Sequence, residues 1–328
     1  MKLKYDKTIG MINNLAVGRG FFNPFASVSS SDGRVFVLGR RLPRIVVCNY
    51  EEDFLGEFSF GEGDGDGQFR LPTSMAFDSD DTLYTTDEGT HRVMMFSTEG
   101  DYLGKWGEQG DCDGQLNGPS GIAFDSENNA YVVDQHNHRV QKFTRKGGYI
   151  LQWGGLGDGE GQFNLPWGVT VDSHDRVYVA DWRNDRIQKF SAEGEFLAQF
   201  GGSGDGDGQL SRPSSVVVDN EGYIYVADWG NERLQLLGPD GNFLDKQRGQ
   251  ATPSKWTEDF FLSNPDEAEP RGRSNLTPTL PTRLSSSYHV SSQSEPLFWG
   301  VSFLDLDHEG RLYATDSRRH RIQVYLKG

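Results

Sequence analysis

Short runs of alternating apolar and polar residues, four to six long, recur along this chain between clusters of Asn, Gly and Asp. In one stretch they fall at residues 121–125, 130–134, 139–144 and 149–153, rich in Val, Ile, Tyr and Phe. A side-chain period of two over such lengths is that of a strand, and the runs are too short for helices. The polar clusters between them supply the turns. The pattern therefore predicts four antiparallel strands in each unit.

The unit repeats. LPTSMAFDSDDTLYTTDEGTHRVMMF, GPSGIAFDSENNAYVVDQHNHRVQKF, LPWGVTVDSHDRVYVADWRNDRIQKF and RPSSVVVDNEGYIYVADWGNERLQLL share one wording around a central Arg. The arginines at 44, 92, 139, 186, 233 and 321 are separated by 48, 47, 47, 47 and 88 residues, so the last interval holds one repeat plus a 41-residue insert. A fixed period of this length with four strands per unit predicts one all-β domain over 1–328, a β-propeller of six blades. The sixth unit stops after its third strand, at 321–326. Residues 3–10, LKYDKTIG, resemble the fourth strands at 102–107 and 196–201, which likewise end in an aromatic or apolar residue followed by Gly. The first strand is thus expected to complete the last blade and bury two open edges.

The pattern P-x-x-[VIA]-x-x-D, then Y-V-A-D-x-x-N-x-R-[IV]-Q, then a Gly-rich turn, resembles the NHL repeat. The resemblance extends over nearly the whole chain outside the insert and implies a six-bladed propeller with four-stranded blades. The first repeat departs most, with Gly39 in place of the Asp and Pro43 before the Arg. The sixth carries Val301 where other repeats have Pro.

Composition narrows the function. A formal net charge of −16 opposes nucleic-acid binding, which draws on Lys and Arg against phosphates, and favours cationic partners or bound cations. Cys48 and Cys112 occupy non-equivalent positions, so a disulfide framework is not expected. No apolar run suits a leader or a membrane span, which makes a cytoplasmic monomer the expectation.

Asp87/Arg92, Asp134/Arg139, Asp181/Arg186, Asp228/Arg233 and Asp316/Arg321 share one spacing across a hairpin, which suits an Arg fork on a carboxylate. Because one site seldom needs five copies, the pairs read as structural. His91, His138 and His320 precede the Arg in three repeats. Some propellers similar to the NHL type, such as peptidyl-hydroxyglycine amidating lyases, gather histidines around a central metal. Equivalent turns on separate blades lie too far apart for one tetrahedral ion, so no metal site is expected from these three. The Gly-rich loops at 61–69, 110–116, 157–163 and 204–210 carry acids two residues apart. They lack the full ligand set of a calcium loop, which leaves only weak Ca²⁺ binding and otherwise no cofactor. Trp182, Arg183 and Trp229 sit at hairpin ends where other repeats have Glu88, Gln135 and Ser317. They read equally as a binding surface or as packing against a neighbouring loop.

Residues 250–300 break the repeat, with six of the 13 prolines and two of the 41 glycines. Residues 254–262 read as a short helix capped by Ser254, with Trp256, Phe260 and Phe261 turned inward and a looser middle following. The insert opens on the face of the Asp-to-Arg hairpins. It is therefore expected to act as a lid over the channel mouth, which Arg271, Arg273 and His289 could enter. The ring itself is expected to stand without it. These features favour a scaffold that holds a protein or peptide on the lidded face. The alternative is a metal-dependent lyase or hydrolase, resembling amidating lyases or lactonase-like propellers, with a site in the central channel. Inner strands reading SMAFD, GIAFD, GVTVD and SVVVD are mostly apolar and weigh against catalysis.

Overall fold

In a computed structural model that describes residues 1–10, 20–59 and 61–328, the alternating runs form six four-stranded antiparallel sheets. Blade three shows the pattern, with strands Pro119–Phe124, Asn129–Asp134, Arg139–Thr144 and Tyr149–Gly154 running from the axis outward. The inner strands of the other blades are Pro24–Ser29, Pro72–Phe77, Val169–Val171, Pro213–Val218 and Val301–Leu306. Blade faces pack on one another. Tyr84, Val93 and Leu116 meet Ile122, Val132 and Phe143 between blades two and three. Middle strands are consequently buried on both faces, and Tyr131, Val132 and Val133 are all fully buried. Only the outer strands, such as Phe196–Gly201, keep the alternation of exposed and covered residues. Gly147 shows how tightly the blades meet: its φ is +83°, and a Cβ there would lie 2.5 Å from Trp106 Cγ of the preceding blade.

The ring closes as the sequence predicts. Leu3–Gly10 pairs with Arg321–Lys327, from Leu3 opposite Lys327 to Gly10 opposite Arg321, so blade six is built from both ends of the chain. Leu3 also donates its N–H to Asp245 of blade five, at 2.8 Å.

Each blade grips the loop that enters it. Arg139 Nη1 donates to Asp111 O at 2.9 Å, and its Nη2 donates to Cys112 O and Gln115 O at 2.9 Å each. Its Nε donates to buried Asp134 at 2.7 Å, and Asp134 accepts the N–H of Asn117 at 2.6 Å. Asp181/Arg186, Asp228/Arg233 and Asp316/Arg321 form the same pair at 2.9, 2.7 and 2.9 Å. The guanidinium fills the space among the loop carbonyls, and side chains such as Asp66 and Asp207 turn to Lys105 and Lys246.

Asp87 and Arg92 do not form the expected pair. Asp87 accepts instead from the N–H groups of Arg70 at 2.7 Å and Leu71 at 2.9 Å, and Arg92 Nε has no partner. The cause lies one blade back. His91 Nδ1 accepts the N–H of Gly118 at 3.0 Å, His138 that of Leu165 at 3.1 Å and His320 that of Asn23 at 3.1 Å, each in the next blade. Asp185 and Glu232 hold Arg212 N–H at 2.7 Å and Gly300 N–H at 2.6 Å in the same way. In blade one this position is Pro43, which offers no side-chain acceptor, so Asp87 takes the Leu71 N–H itself. The histidines are therefore latches between blades.

The insert is helical through its middle, which the sequence reading left loose. It contains α1 (Lys255–Ser263), α2 (Pro265–Arg273) and α3 (Ser287–Gln293). Ser254 caps α1 by accepting the Thr257 N–H, and its hydroxyl donates to Gly10 O. Pro265 opens α2 at a position that needs no N–H, and Ser286 caps α3. No helix among the described residues is long and apolar enough to cross a membrane.

Deleting residues 1–10 should leave blade six with an open edge. The expected outcome is unfolding or self-association, read by light scattering and thermal melting; a monomer with an unchanged Tm would refute the closure. Arg139→Met should cost about 3–5 kcal/mol in urea unfolding, because Asp134 is left buried without its counter-ion. Arg92→Met should cost distinctly less, since Asp87 does not depend on it. The three latch histidines have pKa values lowered chiefly by burial. Below about pH 6.5 the unfolded chain takes up protons that these imidazoles resist, so their contribution to stability falls as pH falls. Glu232, whose carboxyl burial pushes up to about 7, acts in the opposite sense over the same range. Its contribution is common to both proteins when wild type is compared with a His91→Asn, His138→Asn and His320→Asn triple variant. Wild type should lose stability relative to that variant between pH 7.5 and 5.5, and a pH-independent difference would contradict the latch.

Candidate functional site

Two sets of equivalent positions surround the mouth of the channel on the face of the Asp-to-Arg hairpins. The first follows the Pro, or its counterpart Val301, that opens each repeat: Phe25, Thr73, Ser120, Trp167, Ser214 and Ser302. Its hydroxyl members link neighbouring inner strands. Thr73 donates to Pro119 O at 2.9 Å, Ser120 to Trp167 O at 2.8 Å, Ser214 to Val301 O at 3.1 Å and Ser302 to Phe25 O at 2.9 Å. Phe25 and Trp167 interrupt this chain of bonds on opposite blades. Their rings meet across the axis with centroids 6.0 Å apart.

The second set follows the hairpin Asp, or Gly39 in blade one: Arg40, Glu88, Gln135, Trp182, Trp229 and Ser317. Trp182 lies 6.5 Å from Trp167 and 6.3 Å from Trp229, ring to ring. The Arg40 guanidinium lies 4.4 Å from the Phe25 centroid and 2.5 Å from Glu88 Oε2. Burial lowers its pKa and Glu88 opposes that shift. His136 Nε2 stands 3.6 Å from the other oxygen of Glu88. Beside the Phe25–Trp167 bridge is a cavity of about 180 Å³, walled by Trp167, Trp182, Trp229, Phe25 and Arg40 with Ser214 and Ser302.

Below the mouth, the lumen holds about 220 Å³ between apolar inner-strand residues such as Met75, Ile122, Val169 and Leu304. Asp305 supplies a carboxylate there and accepts from Ser29 N–H at 2.9 Å and Ser29 Oγ at 2.7 Å. Burial raises its pKa to about 6 despite those bonds.

Of the candidates read from sequence, Trp182 and Trp229 come together at the cavity, and Arg183 lies over Trp182 at 5.4 Å. The four candidates in the insert, Trp256, Arg271, Arg273 and His289, lie away from that cavity. Trp256 is buried at the seam of blades six and one, 5.5 Å from Phe21 and 6.4 Å from Phe54, and donates to Glu52 O. Arg271 forks onto Glu295, Arg273 pairs with Glu269, and His289 bonds Ser286 at 2.6 Å. None of these four lines the mouth cavity, because Trp256 finds an apolar pocket between blades, whereas α3 packs against the Trp229–Asn231 turn beside the mouth. Phe25, Arg40 and Trp167 were missed, although alignment of the repeats marks each as the odd member of its set. No group of three or more His, Cys, Asp and Glu among the described residues is arranged to hold a metal ion.

A family model for the NHL repeat matches residues 116–143 and 163–190. A comparison with curated proteins found no match. Among solved structures, a Bacteroides thetaiotaomicron protein of unknown function superposes with a TM-score of 0.66 at 17% identity, covering 98% of this chain and 75% of that one. Virginiamycin B lyase from Staphylococcus aureus gives a TM-score of 0.57 at 12% identity, over 99% of this chain and 100% of that one. A nidogen/laminin complex gives 0.52 at 17% identity, over 68% of this chain and 79% of that one. At these identities the likeness is one of fold. The chain is therefore a six-bladed β-propeller of four-stranded blades, closed by its first strand, that carries NHL repeats at the two matched positions.

Proposed function

We propose that this propeller is a binding scaffold that holds a protein or peptide partner on the face of the aromatic mouth. The carrying observation is the break in the chain of hydroxyl bonds. Four of the six inner strands place a small hydroxyl residue at the mouth, whereas Phe25 and Trp167 give up that bond and join Trp182 and Trp229 around a half-exposed cavity. These three tryptophans are half-buried and belong to none of the apolar cores between blades. Trp and Arg around a concave pocket are the groups that carry affinity at protein interfaces. That a nidogen/laminin complex shows a similar fold supports the use of this architecture in protein association.

A second reading, metal-dependent lyase or hydrolase chemistry, draws on two observations. One is the similarity to virginiamycin B lyase, and the other is the Glu88–His136 pair at the rim, which has the make-up of a general acid and base. Against it stand the apolar lumen and the engagement of Glu88 by Arg40.

Peptides selected by display against the folded protein should lose about thirty-fold or more in affinity to Trp182→Ala and to Trp229→Ala, as expected of hot-spot residues. Fluorescence anisotropy measures this, with circular dichroism confirming an intact fold. Undiminished binding to both variants would refute the mouth as the site. Stoichiometric metal that disappears in Glu88→Gln with His136→Ala would favour the enzyme instead.

A further inference from the structure

The mouth differs in charge from the rest of the molecule. The chain carries a net −16, yet three arginines converge on the aromatic cluster. Arg40 stacks on Phe25, while Arg183 and Arg212 lie 5.4 and 5.3 Å from the Trp182 ring. Arg183 and Arg212 are both exposed, and among the described residues neither guanidinium has a hydrogen bond or ion pair. The acids around them are committed. Asp185 accepts the Arg212 backbone N–H and the Ser203 hydroxyl at 2.7 Å each. Asp181 and Asp228 hold Arg186 and Arg233, Glu88 holds Arg40, and Glu232 holds the Gly300 N–H. Two cationic forks are thus steered by Trp182 and left without an anion.

The cavity beside them asks for the opposite chemistry. Its walls are indole and phenyl faces, and its two hydroxyls already donate to Val301 O and Phe25 O. At about 180 Å³ it has room for one apolar side chain. Resting on the scaffold reading above, we infer that the partner presents an acidic–apolar peptide motif. An apolar or aromatic side chain enters the cavity, and a neighbouring Asp or Glu carboxylate meets Arg183 and Arg212. A guanidinium held over an aromatic face is less free to turn, and its fork favours a bidentate carboxylate over a point charge. Two free arginines on an acidic body release too few counterions to hold a polyphosphate chain, which favours peptide over nucleic acid.

The test uses an array of blocked hexapeptides and a twelve-residue oligouridine as probes, with binding read by fluorescence anisotropy. Peptides that bind wild type should be enriched in Asp or Glu within two residues of Leu, Phe or Trp. Arg183→Gln with Arg212→Gln should weaken them at least ten-fold, and higher salt should weaken them too. Changing the peptide acid to its amide should produce the same loss in wild type and no further loss in the double variant. Binding peptides without acidic enrichment and indifferent to the two arginines would overturn this inference and leave the scaffold reading intact. An array in which nothing binds would overturn both. Tighter binding of the oligouridine, lost in the same variant, would replace the peptide with nucleic acid. Both arginines are exposed, so the double variant should fold as wild type does.

Discussion

The arrangement depends on an arginine that reaches back from the third strand of a blade to hold the loop arriving from the previous one. In blade three a single guanidinium satisfies three loop carbonyls and a buried carboxylate, while that carboxylate takes the N–H of the residue ending the loop. Burying a charge is costly unless every group around it is paired, and here the pairing joins two blades that share no continuous sheet. The Gly-rich loop bends its carbonyls inward around this internal cation. The same logic explains how an insert fits between blades five and six. Arg321 needs only carbonyls at the right place, and Glu295 O and Leu297 O supply them at 2.7 and 2.8 Å. For Arg321 itself, what precedes residue 295 is immaterial.

Repetition made much of the fold legible. Six copies of one wording fixed the blade, the ring and the closing strand, because each position was read several times over. Legibility ended where a position departs from its set. Nothing in the sequence says that residues 25, 40 and 167 share one mouth until the blades are placed around an axis. Asp305 was hidden for a related reason. It sits two residues before the aspartate that closes each inner strand, and that aspartate, as in Asp125 with Tyr131 and Asn129, is spent on its own turn. The Asp87–Arg92 pair was expected from spacing alone. It fails because Pro43, a blade away, cannot supply the acceptor that its equivalents provide. The insert had no repeat with which to be in phase, so its helix at 254–262 was readable while its place was not.

That place has its own logic. Blade six is assembled from the two ends of the chain, and no hairpin joins its outer strand to the other three. The insert reaches both sides of it. On one side Arg248 donates to Ser287 O at 3.1 Å and Arg319 to Ser291 O at 2.7 Å, tying α3 to blades five and six together. On the other, Ser254 holds Gly10 O of the closing strand, and Lys255 N–H donates to Glu52 of blade one at 2.7 Å. Trp256 fills the seam core between Ile9, Ile322 and Val46. Burying an indole there supplies a few kcal/mol at the one blade that lacks a continuous chain. The insert thus ties both sides of the closure at once, so its removal is expected to weaken the ring as well as to uncover the Trp229 turn against which α3 packs.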